Sequence, residues 1–196
     1  MHVWPGKGGV PEAAGLPGGW VMQNDEKAAI LQKLSFAASI LPGKVFRDLI
    51  PPGGIQLAYA RKGARDDTGI ACVRGGLCLE NIVFDTADVG FGGSGMIVTA
   101  LLTAMKFDPR IRSAAIIACT SAAVKTMDGR FFEICSFDPR KGPPGTGTMD
   151  WGVAQCCRNG VPDAIYSRST DNTRAIIRLF GEDPLDVANN ILMLSM

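Results

Sequence analysis

Apolar runs separated by glycine- and proline-rich turns divide most of this chain into short strand-like and helix-like segments. Apolar residues at helical spacing over 30–41 predict a first helix, which Asn24 would cap and Pro42-Gly43 would end. The uncharged run that follows Ser94 predicts a buried helix in the middle of the chain. The continuous apolar run 114–119 is typical of a strand that is covered on both faces.

The same patterns predict the remaining elements and the fold class. Further strands are predicted at 55–60, 69–73, 77–84, 131–137, 164–166 and 174–180, and further helices at 122–127, 150–157 and from 183 onward. Gly75-Gly76 indicates a hairpin between two of these strands. The alternation predicts an α/β fold, a single domain whose sheet is covered by helices in a three-layer arrangement. Residues 1–22, rich in Gly and Pro, are predicted to form a flexible arm ahead of a domain at 23–196.

Composition narrows the function classes. A length of 196 residues is enough for one domain with a full core, and a net charge of +1 gives no electrostatic attraction to nucleic acid or to an anionic membrane. No apolar run is long enough to span a bilayer and no leader precedes a cleavage site, so we expect a cytoplasmic protein without nucleic-acid or membrane partners.

Two side-chain types limit the chemistry further. The only histidine is His2, in the predicted arm, which argues against histidine acid–base catalysis and His-ligated zinc. The six cysteines do not form C-x-x-C pairs, and we expect them to be reduced, buried, small hydrophobic residues.

The most informative stretch is the glycine-rich turn before the central helix. Gly92, Gly93, Ser94 and Gly95 lie where the first amides of that helix have no internal partners and the helix dipole adds partial positive charge. These residues are therefore candidates for phosphate binding. A closely packed strand-to-helix corner would give the same spacing.

Seven further polar residues are candidates for ligand contacts: Asp138, Arg140, Asp150, Asp163, Arg168, Arg174 and Arg178. Arg178 stands in an apolar strand with no obvious partner, which favours a ligand anion or a buried ion pair. Asp150 could instead only begin a helix, and Arg140 could belong to a solvated loop.

Several short motifs occur in a characteristic order from about Leu34 to the end of the chain. They are Phe91-Gly92-Gly93-Ser94, Leu101-Leu102-Thr103-Ala104-Met105-Lys106, Asp108-Pro109-Arg110-Ile111-Arg112-Ser113-Ala114, Ser136-Phe137-Asp138, Thr148-Met149-Asp150-Trp151-Gly152-Val153, Pro162-Asp163-Ala164-Ile165-Tyr166 and Ile177-Arg178-Leu179-Phe180-Gly181-Glu182-Asp183-Pro184. In this order the motifs resemble the ThiN-type thiamine-phosphate synthase domain. The resemblance implies an enzyme that joins a pyrimidine diphosphate to a thiazole phosphate, with release of pyrophosphate. Related domains without that activity sense thiamine phosphate and are fused to a DNA-binding segment.

The departures from the family pattern concern its polar groups. The resemblance implies an arginine and a histidine where this chain has Gly95 and Met96. It also implies polar stretches where the chain has 116–119 and 172–175. A leaving diphosphate needs its developing charge held by cations or fixed donors, and the loss of one such donor typically lowers the rate ~10²–10³-fold. The sequence therefore favours a binding domain for thiamine phosphate or a related phosphorylated heterocycle, with impaired or lost synthase chemistry.

Two other functions stay open at this stage. The chain could be an active synthase that uses Arg174 and Arg178 in place of the missing pair, or a diverged enzyme in which Cys119 or Asp138 has a new role. No cofactor is implied, except Mg²⁺ if a diphosphate is bound. The expected partner is a phosphorylated small molecule, and a homodimer is left open. A DNA-binding regulator is disfavoured, because only the arm and one helix precede the domain.

Overall fold

The computed structural model describes residues 18–78, 88–130, 132–142, 150–167 and 175–196, with side chains from residue 25 onward. The strands in these ranges are β1 (Gln56–Ala60), β2 (Ile70–Val73), β3 (Val89–Phe91), β4 (Ser113–Ala118), β5 (Ile134–Phe137), β6 (Ala164–Ser167) and β7 (Ile176–Gly181). The helices are α1 (Gly18–Ser39), α2 (Met96–Phe107), α3 (Ser121–Gly129), α4 (Trp151–Cys156) and α5 (Pro184–Met193). None of the helices in these ranges combines the length and the apolar character that a bilayer crossing requires.

The seven strands form one sheet in the order β3-β2-β1-β4-β7-β6-β5. β5 and β6 pair in parallel, and the other neighbouring pairs are antiparallel. β4 and β7 hold the centre, and each alternates side chains between the two faces of the sheet. Both faces of β4 are buried, as its continuous apolar sequence predicts.

Helices cover both faces of this sheet, so the predicted three-layer α/β fold is confirmed. α1, α3 and α5 bury one face in a core that contains Leu34, Leu57 and Ile191. α2 and α4 bury the other face in a second core that contains Leu101 and Ile165. In β7 this alternation sends Ile177 and Leu179 to the first core and leaves the side chain of Arg178 on the α2/α4 face.

Two local predictions are wrong. α1 begins at Gly18, so Asn24 lies inside the helix and does not cap it. An asparagine in a helix interior costs less than about 1 kcal/mol relative to alanine, which the rest of a 22-residue helix outweighs. The chain does turn at Gly75-Gly76, where both glycines have positive φ. However, Leu77 then pairs with Ile55, not with the strand before the turn.

The pairing of Leu77 with Ile55 has a steric basis, because Gly76 packs against the backbone of Gly53 with no room for a Cβ between them. Residues 79–84 of the predicted strand 77–84 and residues 1–17 of the predicted arm lie outside the described residues.

Candidate functional site

The glycine-rich turn joins β3 to α2 much as its sequence predicts. Gly92 has φ +77°, and Gly95, which occupies the N-cap of α2, has φ 98° and ψ −166°. The φ and ψ of Gly95 together are essentially accessible to glycine alone. Gly93 packs on β2 so closely that a Cβ would lie 2.3 Å from Cys72 Sγ. The turn is thus both a packed corner and an exposed helix start, because Gly92, Ser94 and Gly95 face solvent.

A buried ion pair lies beside the start of α2. Arg178 Nη2 is 3.0 Å from Asp150 Oδ2, and the two side chains are only 7% and 10% exposed. The same Nη2 donates to Met96 Sδ over 3.3 Å, and the guanidinium lies 5.3 Å from the centre of the Phe137 ring. Burial lowers the pKa of Arg178, while the Asp150 carboxylate raises it and so helps to keep the guanidinium charged.

The guanidinium is incompletely satisfied. Arg178 Nε and Nη1 are buried and have no hydrogen-bond partner among the residues that the structure describes. Its nearest neighbours across the sheet are Ile116 on β4 and Ile165 on β6, which offer no side-chain acceptor. An unsatisfied buried donor costs about 1–3 kcal/mol, and more when it is charged. The pair therefore has spare hydrogen-bonding capacity for a ligand that brings acceptor atoms.

Asp150 is held in place by three contacts. Its side chain caps α4 by accepting the Val153 amide over 3.1 Å, and its own amide donates to Thr103 Oγ1 on α2 over 3.0 Å. The ion pair with Arg178 is the third contact. The predicted helix start at Asp150 is confirmed, and the same carboxylate also neutralises a buried cation, while a ligand contact of Asp150 stays a prediction.

The other predicted site residues fall into three groups. Asp138 and Arg140 form a local, exposed pair at 2.7 Å, in which hydrogen bonds from Arg140 lower the pKa of Asp138 to about 2. Asp163 accepts the Glu133 amide over 2.8 Å and so joins β6 to the chain ahead of β5. Arg168 and Arg174 lie outside the described residues.

A second group of residues beside the turn was missed by sequence reasoning. Arg74 and Gln56 line a cavity of about 500 Å³ together with Gly92, Gly93 and Ser94. The available signal was the position of Arg74, a charge directly between an apolar strand and a glycine pair. A larger cavity of about 710 Å³ lies along α1 around Phe36 and is lined by none of the predicted site residues.

The expectation that all six cysteines are reduced is wrong. Cys135 on β5 and Cys156 at the end of α4 form a disulfide with a Cα–Cα distance of 5.8 Å. Strand and helix bring the two side chains together across 21 positions of sequence, a proximity that spacing alone does not reveal. Cys72 and Cys157 are free and buried, as expected. Within the described residues no three His, Cys, Asp or Glu side chains cluster as metal ligands would.

Comparison with known proteins gives consistent matches. The family model described as thiamine-phosphate synthase ThiN matches residues 14–193. The bifunctional thiamine biosynthesis protein ThiDN of Methanocaldococcus jannaschii is 30% identical over 169 residues, which are 84% of this chain and 40% of that protein. The thiamine-phosphate synthase ThiN of Methanothermobacter thermautotrophicus is 24% identical over 151 residues, 73% of this chain and 80% of that protein. The crystal structure of a phosphomethylpyrimidine kinase C-terminal domain has a TM-score of 0.76 and 28% identity, and the match covers 86% of this chain and 100% of that one.

Proposed function

This chain belongs to the thiamine-phosphate synthase ThiN family, and on that premise we propose that it binds thiamine phosphate or a related phosphorylated heterocycle, with impaired or lost synthase chemistry. The family and the two relatives assign it to the ThiN-type domains of thiamine biosynthesis. The identity of the ligand and the loss of chemistry are the proposal.

The observation that carries the binding role is the unsatisfied guanidinium of Arg178. Its Nε and Nη1 are buried beside the first residue of α2, and no acceptor for them lies in the described part of the chain. The first amides of that helix are further donors, and the helix dipole adds partial positive charge in the same place. A phosphate group or the ring nitrogens of a heterocycle would supply the missing acceptors. Met96, half exposed and in contact with Arg178, adds an apolar surface for a ring.

The same geometry supports the loss of chemistry. Release of pyrophosphate requires cations that are free to hold the departing charge. Among the described residues at the start of α2, Gly95 and Met96 bring no charge, and Arg178 is already neutralised by Asp150 at 3.0 Å. A neutral pair can still hold a ligand by hydrogen bonds, but it stabilises a new negative charge less than an unpaired cation does.

Binding and turnover are separated by two measurements on the same protein. Thermal unfolding is followed with increasing thiamine phosphate, and the protein is separately incubated with the pyrimidine diphosphate and the thiazole phosphate while pyrophosphate release is recorded. We expect a rise in melting temperature, equivalent to about 2.7 kcal/mol at a ligand concentration of 100 Kd, without turnover. Turnover would support the active synthase instead.

A double variant and a matched control show whether the ligand binds at the Arg178–Asp150 pair. Arg178→Met with Asp150→Asn removes both charges together, so neither is left buried alone. This double variant should fold and lose the ligand-dependent shift. The matched control is Arg112→Met, which removes a half-buried arginine that donates to the Ala60 carbonyl over 2.8 Å. The control should lower stability and keep the shift, and an unchanged shift in the double variant would contradict the proposed site.

A further inference from the structure

The disulfide between Cys135 and Cys156 closes a loop that contains two side chains in contact with Arg178. Phe137 and Asp150 both lie between the two cysteines in the sequence. The Asp150 carboxylate is 3.0 Å from the guanidinium, and the centre of the Phe137 ring is 5.3 Å from it. The covalent link therefore constrains the segment that surrounds the buried cation.

Helix α4 depends on tertiary contacts for its position. It has six residues, whereas an isolated helix shorter than about 12–15 residues is marginal in water. Its first end is held by the Asp150 cap and by the bond from the Asp150 amide to Thr103. The Phe137 ring packs on Gly152 with no room for a Cβ between them. The last residue of the helix is Cys156, so the disulfide is what fixes the other end to β5.

The strand side of the disulfide leads to the same cluster. Cys135 and Phe137 are two positions apart on β5, so their side chains lie on one face, and both belong to the core that α2 and α4 cover. Movement of α4 away from Cys135 would uncover the Phe137 ring on which Gly152 packs. The surroundings of the Arg178 guanidinium would change with that ring.

The disulfide is accessible to a small thiol from solvent. β5 is the last strand of the sheet, and Cys135 and Cys156 are only half-buried. The neighbouring thiol of Cys157 is fully buried, and burial, together with the charge of Asp150, raises its pKa to about 11. A thiol that stays protonated near pH 7 attacks disulfides poorly. External thiols therefore decide whether the disulfide is reduced, and internal exchange with Cys157 does not.

We propose that the Cys135–Cys156 disulfide is a redox switch for the Arg178–Asp150 site, in which the oxidised chain binds the ligand more tightly than the reduced chain. This inference rests on the proposed function, because it concerns the regulation of the same site. The reductant is a dithiol, which supplies two electrons and two protons. The S–S bond breaks, the two cysteines become thiols, and the dithiol closes to a disulfide of its own. The reduced chain has to order α4 when the ligand binds, which lowers its apparent affinity.

Calorimetry with thiamine phosphate tests the switch at a temperature at which both forms are folded. We expect dithiothreitol to weaken binding by the wild-type chain by about threefold or more. The variant Cys135→Ser/Cys156→Ser should bind like the reduced wild type, with or without dithiothreitol. The matched control is Cys78→Ser, which removes a half-buried free cysteine and should keep the full response. Equal affinity of the oxidised and reduced wild type, or tighter binding by the reduced form, would overturn the proposal.

Coupling between two equilibria is reciprocal, so the ligand must also protect the disulfide. The chain is equilibrated in mixtures of reduced and oxidised dithiothreitol, and the reduced fraction is measured by alkylation of its thiols. Saturating thiamine phosphate should raise the dithiothreitol ratio needed for half reduction by the same factor of about three or more. Arg178→Met/Asp150→Asn should show no protection. An unchanged ratio in the wild type would mean that the disulfide only stabilises the fold.

Amide chemical shifts show whether reduction reaches the ion pair. The Asp150 and Val153 amides, which donate to Thr103 and to the Asp150 carboxylate, should shift or broaden, while Ala71 on β2 should not. Unmoved signals of Asp150 and Val153 would refute the switch. Binding of equal strength in both oxidation states would refute the switch and leave the proposed function intact. Absence of binding in either state would refute the proposed function, and the switch with it.

Discussion

Changing Asp150 to asparagine removes one charge from the buried pair and little else. Asparagine has nearly the same shape and also caps helices well, so the hydrogen bond to the Val153 amide is retained. What is lost is the carboxylate 3.0 Å from Arg178, in a place where the arginine side chain is only 7% exposed. The substitution therefore measures the charge interaction, separately from the cap.

The expected magnitude follows from burial. Two unit charges about 4 Å apart interact by about 4 kcal/mol at an effective dielectric constant of 20, and breaking a buried pair typically costs about 3–5 kcal/mol. We expect Asp150→Asn to lower the free energy of unfolding by about 3–4 kcal/mol. Domains of this size are commonly stable by about 5–15 kcal/mol, so the variant should still fold.

Urea unfolding at pH 7 measures this loss, and an exposed pair serves as the control. Asp108 Oδ2 lies 2.7 Å from Arg110 Nη2, closer than in the buried pair, but the Arg110 side chain is 75% exposed. Asp108→Asn should accordingly lower the stability much less than Asp150→Asn does. Equal losses in the two variants would contradict this expectation, because Arg178 would then be as well solvated as Arg110.

Ligand dependence gives a second test of the same variant. In Asp150→Asn the guanidinium has lost its counter-ion, so an anion that reaches it should stabilise the variant more than the wild type. Pyrophosphate is the probe, and the expected result is a larger rise in the urea midpoint for the variant. Equal rises would mean that Arg178 does not face the bound anion.

Three further outcomes are expected. Reduction of the Cys135–Cys156 disulfide, whose cysteines are 21 positions apart, should lower the free energy of unfolding by about 3 kcal/mol. Equal urea midpoints with and without dithiothreitol would contradict this prediction. Gly92→Val forces a β-branched residue to φ +77°, which should lower the free energy of unfolding by about 1–2 kcal/mol or more. It should also weaken phosphate binding measured by calorimetry, and unchanged affinity would show that the turn is not part of the phosphate site. Burial acts to raise the pKa of Asp183, but hydrogen bonds from Lys33 and the Leu185 amide, with nearby positive charge, lower it overall. The ionised Asp183 carboxylate should thus stabilise the fold above about pH 4, and this stabilisation should be lost as the pH falls below that value. Urea unfolding measured across pH should show that Lys33→Met reduces this loss by less than about 1 kcal/mol.

The helices and turns that could be predicted from the sequence are those in which the local sequence pattern favours the same conformation as the packing in the folded chain. The turn from β3 into α2 carries glycines where positive φ is required and an apolar run where the helix is buried. α5 begins as its sequence indicates, with Asp183 as the cap and Pro184 in the first turn. Such positions are predictable because propensity and packing favour the same conformation.

Apart from the helix start expected at Asn24, the wrong predictions concern contacts between residues that are distant in sequence. Leu77 pairs with Ile55 and not with its sequence neighbour, because two glycine pairs pack against each other. The Cys135–Cys156 disulfide depends on how α4 lies against β5. Neither feature has a periodic signature, so no local pattern could reveal them.

The candidate site was predictable in part for the same reason. An arginine in an apolar strand indicated a buried partner or a ligand. Arg178 has Asp150 as its partner, and two of its donor atoms have no acceptor among the described residues. Arg74 was missed because its importance comes from the cavity around it and from the bare backbone of Gly90. Asp138 and Arg140 looked similar in sequence but neutralise each other on an exposed loop.

The backbone at Gly95 also limits how this turn can be redesigned. Its φ of 98° and ψ of −166° admit glycine, whereas a side chain would add about 1–3 kcal/mol of strain. An arginine at this position therefore requires a different turn, so the single substitution Gly95→Arg is unfavourable. A designer who wants a cation here will do better to begin from Met96, whose backbone is already helical and whose side chain already touches Arg178.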